Sequence, residues 1–246
     1  MNLILDLLFP KKCIGCKKEG TYFCQGCVSN IMQTDLVCPV CEDLAVGGQT
    51  HPICKRRYGL DGLWSLGIYQ DPLREAIKQL KYRKVKEIAP VLVDILIEYW
   101  AKYQPFVFDQ IKNSRGKGWA VISVPLHWWR ENDRGFNQSS EIGQILSKKL
   151  GLYYCEGLKR IRYTKPQVKL KGSERHQNIK NAFEIDSRFL ASRPASPSLG
   201  GRSGRGNDKS VLLIDDVWTT GSTLRECCYI LKRNGAKKVW ALTLAR

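Results

Sequence analysis

Asp215 and Asp216 stand side by side, and after Val217 and Trp218 come Thr219, Thr220, Gly221, Ser222 and Thr223. Two adjacent carboxylates repel each other, and partial burial raises the cost of keeping both charged. Such a pair calls for sugar hydroxyls or a hard cation, and oxygen donors of this kind suit Mg²⁺, which is often shared with substrate phosphates. The hydroxyls that follow, with a glycine that lets the backbone come close and take a positive φ, suit an anion. A helix cap would need only one Asp or Thr. Two acids, four hydroxyls and a glycine exceed that need.

These residues require a rigid frame, and the flanking sequence supplies it. Val211-Leu212-Leu213-Ile214 is an apolar run suited to a central parallel strand covered on both faces. Beyond the turn, Leu224, Cys227, Cys228 and Leu231 recur at helical spacing. The turn therefore lies at the carboxyl end of a strand and the start of a helix, where ligands of open α/β sheets bind and free N–H groups favour a phosphate. A second strand-to-helix turn carries the opposite charge. The segment from Trp119 to Val124 is predicted as a buried strand ended by Pro125-Leu126, and a helix with Ile142, Ile145, Leu146 and Leu150 follows, stopped by Gly151. Between them lie His127, Trp128, Trp129, Arg130, Arg134, Gly135, Phe136, Asn137 and Gln138. Arginine there faces the sheet edge that holds the acids, and its fork matches phosphate oxygens.

A different chemistry begins the chain. Cys13-x-x-Cys16, Cys24-x-x-Cys27, Cys38-x-x-Cys41 and His51-x-x-Cys54 are four two-ligand knuckles, and one tetrahedral Zn²⁺ takes two of them. Consecutive pairing gives one site of four cysteines and one of three cysteines and a histidine. Interleaved pairing joins Cys13, Cys16, Cys38 and Cys41, and a single zinc is a third arrangement. With every position filled by protein, the metals are structural. They would stabilise a segment too small for its own core.

The 246 residues suffice for one large α/β core and a small appended module. Forty Lys and Arg against 23 acids give a net charge of +17, which favours nucleic acid, phosphorylated metabolites or an acidic membrane surface as partners. Seven of the ten cysteines precede residue 55, six of them in Cys-x-x-Cys pairs, so the cysteines read as metal ligands rather than as a disulfide framework. The apolar start, Met1 to Pro10, is broken by Asp6 and has neither preceding basic residues nor a cleavage site, so it reads as an amphipathic helix. No apolar run is long enough to span a bilayer, and a reducing, cytoplasmic location is expected.

The remaining elements follow in order. Tyr58 to Gly67 crosses from the module, residues 1–57, to the main domain, residues 58–246. Asp71-Pro72 starts a helix bearing Leu73, Ile77 and Leu80, and a second helix runs from about Glu87 to Tyr103. The basic run Lys78, Lys81, Tyr82, Arg83, Lys84 and Lys86 between them reads as a solvated face. From Lys159 to Lys180 eight Lys or Arg face one acid, Glu174, which suits a mobile flap over an anionic ligand. Phe183 to Ile185 reads as a short strand, residues 187–209 as a flexible basic insertion, and Val239 to Leu244 as an edge or near-edge strand after a helix stopped by Gly235.

On these residues two resemblances rest. Ile214-Asp215-Asp216-Val217 with Thr219-Thr220-Gly221-Ser222-Thr223 resembles the phosphoribosyl pyrophosphate (PRPP) loop of type I phosphoribosyltransferases. That resemblance implies an α/β, Rossmann-like parallel sheet in which Asp215 and Asp216 hold the ribose hydroxyls and orient a Mg²⁺-bound diphosphate. It implies equally that Val217, Trp218 and Thr219 to Thr223 wrap the 5′-phosphate. The stretch from Val124-Pro125-Leu126 through Arg130 and Arg134-Gly135-Phe136-Asn137-Gln138 is similar to a signature of the ComF-type competence proteins. So are Lys159-Arg160-x-Arg162-x-Thr164-x-x-Gln167 and Arg175-x-x-Asn178-x-x-x-Ala182-Phe183. By that resemblance Arg130 and Arg134 grip the diphosphate, and the double zinc ribbon is the expected N-terminal module.

Two functions are therefore expected from different classes. One is an enzyme that transfers a pentosyl group from PRPP, with positioning and electrostatics stabilising the charged sugar ring, to an acceptor left open. The other is a nucleic-acid-binding accessory protein that keeps the transferase fold without the activity. The competence resemblance implies natural transformation, with single-stranded DNA and other DNA-uptake proteins as partners. Trp128-Trp129 beside arginines suits base stacking. A regulator of the purine-repressor kind is a weaker reading, because cysteine knuckles stand where a winged helix would be.

Overall fold

The computed structural model describes residues 10–82, 85–103, 111, 114, 118–164, 172–191 and 209–246. After a short helix α1 (Gln25–Ser29) in the cysteine module come β1 (Gly62–Gly67), α2 (Leu73–Tyr82), α3 (Ile88–Tyr103), β2 (Trp119–Ser123), α4 (Trp128–Arg134), α5 (Gln138–Leu150) and β3 (Tyr153–Tyr154). The second half holds β4 (Leu158–Arg160), α6 (Gly172–Ile179), β5 (Phe183–Ile185), α7 (Ser187–Ala191), β6 (Lys209–Val217), α8 (Ser222–Arg233) and β7 (Ala236–Ala245). Five strands form one parallel sheet in the order β1-β7-β6-β2-β3, the expected α/β architecture. Strands β4 and β5 pair separately as an antiparallel ribbon.

Strand periodicity divides the core into two. Leu212 and Ile214 of β6 point to one side, with Leu73, Ile77 and Leu80 of α2, Leu92 and Leu96 of α3 and Ile142 and Leu146 of α5. Val211 and Leu213 point to the other side, with Leu224, Cys227, Cys228 and Leu231 of α8 and Phe183 and Phe189. A strand covered on both faces reads as a continuous apolar run, as β6 does. Helix α5 starts where the Asn137 side chain accepts from the Ser139 N–H and ends at Gly151, φ 64°.

Several expectations change. Within the crossing segment from Tyr58 to Gly67, Gly62–Gly67 form a strand, β1, at the sheet edge beside β7. Its Leu63 enters one core and Trp64 and Leu66 the other, so its short apolar stretch between glycines is covered on both sides. The insertion expected over residues 187–209 opens with an ordered turn of helix, α7, because buried Phe189 anchors it and Asp186 accepts from Arg188. Lys209 already belongs to β6. The strand expected over Val239 to Leu244 is β7, one place in from the edge. The amphipathic start, Arg83 and Lys84, the middle of the flap at 165–171 and the insertion at 192–208 fall outside the described residues. Among the described residues no helix is long and apolar enough to cross a membrane.

Candidate functional site

Strand β6 delivers Asp215 and Asp216 to its carboxyl end, and each is held by a different neighbour. Asp215 accepts from the Ser139 hydroxyl at 3.1 Å and from the Asp216 N–H at 2.9 Å. Burial and the adjacent Asp216 carboxylate push its carboxyl up to about 7, against the pull of that N–H, Lys81 and Ser139. Asp216 pairs with Lys81 of α2 at 2.9 Å. Burial alone would lower the Lys81 ammonium, but Asp216 and Asp215 outweigh it and hold it above its ordinary value. Lys81, expected on a solvated face, thus belongs to the site. The reason is that it lies on the last turn of α2, whose buried stripe presses against the sheet.

The turn after the acids rests on Trp218. Its ring is buried, its backbone N–H donates to the Ala245 carbonyl at 2.8 Å, and a Cβ on Gly221 would lie 2.3 Å from the ring. Gly221 also has φ 68°, so glycine is required there twice over. The Trp218 side chain is therefore a floor beneath the turn rather than a ligand group. Above it Thr219 is exposed, the Thr220 and Ser222 hydroxyls lie 2.8 Å apart, and α8 begins at Gly221 without a side-chain cap. Its first N–H groups form an anion cradle.

The arginines approach from the second turn. Arg130 of α4 donates to the Thr164 carbonyl at 2.6 Å and lies 5.4 Å from the Tyr163 ring centroid, while Arg134 lies 5.4 Å from that of Tyr82. Among the described residues neither has a carboxylate partner. Half-buried Arg160 of β4 joins them: desolvation and Arg130 bring its guanidinium down to about 10, and its Nε, shielded from solvent, has no hydrogen-bond partner. A desolvated N–H of a cation left without a partner is a demand for an anion. The sequence named Arg160 only within the basic segment Lys159 to Lys180 and the competence-type pattern, with no individual role. His127 is buried and caps α4 by accepting from the Trp129 N–H. Burial, Arg160 and Arg130 keep its imidazole below the ordinary value.

A cavity of about 330 Å³ opens beside the arginines, lined by Ser123, Trp128, Glu131, Glu156, Arg160 and Arg188. Asp186, buried behind it, accepts from Arg188 at 2.9 Å and Lys159 at 3.2 Å, and the Arg188 bonds above all hold its carboxyl well below the usual range. At the rim Trp128 and Trp129 are 60% and 61% exposed, 6.3 Å apart between centroids, and Tyr163 is exposed nearby.

The eight metal ligands assemble by consecutive pairing, which decides among the three arrangements. Cys13, Cys16, Cys24 and Cys27 form one group and Cys38, Cys41, His51 and Cys54 the other, each with its ligand atoms within 4.8 Å of one another. Sγ separations of 3.7 Å for Cys13 and Cys24 and 3.5 Å for Cys16 and Cys24 fit a tetrahedron. Zinc–sulfur bonds of about 2.3 Å require edges of about 3.8 Å. In the second group His51 Nδ1 is 3.3 Å from Cys41 Sγ, and Nε2 lies 2.9 Å from the Leu44 carbonyl. That carbonyl can only accept, so Nε2 carries the proton and Nδ1 is the ligand atom. Burial raises the Cys13 and Cys38 thiols, but backbone N–H groups outweigh it and bring them down to about 6 and about 7.

The chain is similar to known proteins. Residues 138–246 match the family model of the phosphoribosyl transferase domain, a span that holds the acids and the turn and leaves Arg130 and Arg134 outside it. The chain is 30% identical over 246 residues to Competence protein F of Haemophilus influenzae, covering 97% of this chain and 98% of the relative. It is 32% identical over 227 residues to the DNA utilization protein YhgH of Escherichia coli K12, covering 89% and 88%. Competence protein ComFC of Bacillus subtilis is 23% identical over 241 residues, covering 93% and 86%.

Proposed function

This chain belongs to the family of Competence protein F and YhgH, proteins with a phosphoribosyl transferase domain, and from that premise we propose that it binds PRPP and acts on single-stranded DNA during DNA uptake. One observation carries the reading: at a single strand end, an acid pair tied to Lys81 adjoins an uncapped helix start. The turn from Thr219 to Thr223 takes the 5′-phosphate on its N–H and hydroxyl groups. Asp215 and Asp216 accept from the ribose hydroxyls, and Lys81 pairs with the second acid in its half-buried place. Val217 and Trp218 shape the backbone entering the turn.

Arg130, Arg134 and Arg160 face the diphosphate, where charge accumulates as pyrophosphate leaves. The donor set also fits Mg²⁺ arriving with the diphosphate, since hard carboxylate oxygens are present and Lys81 already offsets one of the two charges. The bound ion would supply countercharge to the leaving group. The 330 Å³ cavity beside the arginines has room for an acceptor, with Trp128 as an apolar wall and Glu131 and Glu156 as polar ones. On this reading the protein is a pentosyl transferase acting in the cytoplasm.

Calorimetric titration of the zinc-loaded protein with PRPP and Mg²⁺ tests this reading. Binding lost in the Asp215→Asn, Asp216→Asn double variant, with pyrophosphate released on adding an acceptor strand, is the expected result. Absence of binding by the native protein sinks it. Binding without pyrophosphate release favours the second reading, an accessory nucleic-acid-binding protein, which the exposed Trp128, Trp129 and Tyr163 beside Arg130 support. Replacing both tryptophans by alanine should then weaken single-stranded DNA binding about tenfold or more, at about 1–3 kcal/mol per stacked base.

A further inference from the structure

One side chain joins two sites that the chain keeps far apart in sequence. Arg225, on the first turn of α8, donates through Nε at 3.1 Å and Nη2 at 2.7 Å to the carbonyl of Pro39, inside the Cys38-x-x-Cys41 knuckle. Its Nη1 donates at 2.9 Å to the carbonyl of Thr220, inside the phosphate turn. The guanidinium lies 5.2 Å from the centroid of the Trp218 ring, the floor of that turn, and Glu42 stands 3.7 Å away. A guanidinium is planar and rigid, so its two edges fix the separation of the carbonyls they hold.

We propose that Arg225 is a positioning residue coupling the second metal group to the phosphate turn, so that metal held by Cys38, Cys41, His51 and Cys54 and phosphate held by Thr219 to Thr223 strengthen each other. The knuckle sets where the Pro39 carbonyl points. The Glu42 N–H donates to the Cys38 carbonyl at 2.9 Å and the Cys38 N–H to that of Asp43 at 2.9 Å, and two ligands to one ion lock this hairpin. Without the ion the hairpin loosens, the fork loses one edge, and Thr220 loses the contact that holds its peptide in place. The first metal group has no such link among the described residues. Coupling between two sites is reciprocal, so phosphate binding must tighten metal binding at the second group by the same free energy.

This inference rests on the turn being the PRPP phosphate site, and the experiment separates the two claims. Cobalt(II) replaces zinc in the full chain, because a site of three thiolates and an imidazole and a site of four thiolates differ in their d–d absorption. Calorimetry first establishes whether PRPP with Mg²⁺ binds. Metal loss to a competing transition-metal-selective chelator is then measured at equilibrium with and without saturating PRPP. The expected result is that PRPP tightens metal retention by the three-cysteine, one-histidine group about fivefold or more, the lower end of ordinary coupling energies, and leaves the four-cysteine group unchanged. In Arg225→Gln the protection should vanish while PRPP and both ions still bind, and Arg225→Lys, which keeps charge but not the fork, should behave in the same way. PRPP binding with no change in metal loss overturns the coupling alone, as does protection that survives in both variants. Absence of PRPP binding overturns the reading of the site and the coupling with it.

Discussion

The two metal groups are one hairpin built twice. In each, the residue after the Cys-x-x-Cys knuckle takes a left-handed conformation, Lys17 at φ 67° and Glu42 at φ 66°. In each, that residue's N–H donates to the carbonyl of the first cysteine at 2.9 Å. Their surroundings differ. Cys13, Ile14, Phe23, Cys27 and Val28 of the first belong to the same core as α2 and α3. The second sends Val37 into the opposite core and meets α8 through Pro39 and Glu42. The same motif thus braces the fold in one place and adjoins the ligand turn in the other, and the difference lies in what surrounds each hairpin rather than in its ligands.

The strongest way to break this contrast is to remove a ligand from the bracing group. Cys27→Ser should cost about 5 kcal/mol or more, since structural zinc supplies folding free energy comparable to the stability of a whole domain. Urea unfolding read by circular dichroism checks it. A variant that keeps its unfolding midpoint would show that the first group does not brace the core.

Next in size is a change confined to the ligand turn. Asp215→Asn should lower PRPP affinity about a hundredfold and yet stabilise the ligand-free protein above pH 7 by on the order of 1–3 kcal/mol. The folded carboxyl titrates above its unfolded value, so its contribution is fully present below about pH 4 and lost as pH rises through about 7. The variant's gain therefore grows across that window and vanishes at its acid end. Thermal midpoints from pH 4 to 8 measure it, and a midpoint difference that does not vary with pH would contradict the burial argument.

Cys54→Ser at the second group should leave the chain folded with one metal instead of two, and should weaken PRPP binding about tenfold, within the ordinary range of coupling between sites. Metal content and calorimetry together decide it. Unchanged PRPP affinity would make the second group as purely structural as the first.

What could be read from the sequence follows the distance over which each feature is built. The acid pair, the turn and the knuckles lie within a few residues of their partners, and their types carried the chemistry. The consecutive pairing of knuckles did not follow from spacing, because the ligands permit other pairings and only the hairpin geometry selects one. Lys81, Arg160 and Arg225 were illegible for a related reason. Each is a basic residue in a basic chain, and its meaning depends on a partner elsewhere, 186 residues away for Arg225 and Pro39. Strand β1 was missed because glycines flank its few apolar residues. Helix α7 was missed because Phe189 is a single anchor beside a Ser-, Gly- and Pro-rich stretch.

The smallest effect gives the most exact comparison. The Tyr99 hydroxyl of α3 donates to the Val28 carbonyl at 2.8 Å, so it binds the end of the first metal hairpin to the helical layer much as Arg225 binds the second to the turn. Tyr99→Phe removes that one bond and keeps the ring, which should cost about 1 kcal/mol of stability. Because the bond ends in a core that includes none of Thr219 to Thr223, PRPP affinity and metal loss from the second group should be unaffected. Arg225→Gln breaks a contact of comparable size and should alter both. If Tyr99→Phe also weakened PRPP binding, any loosening of the module would reach the turn, and Arg225 would have no special place in the coupling.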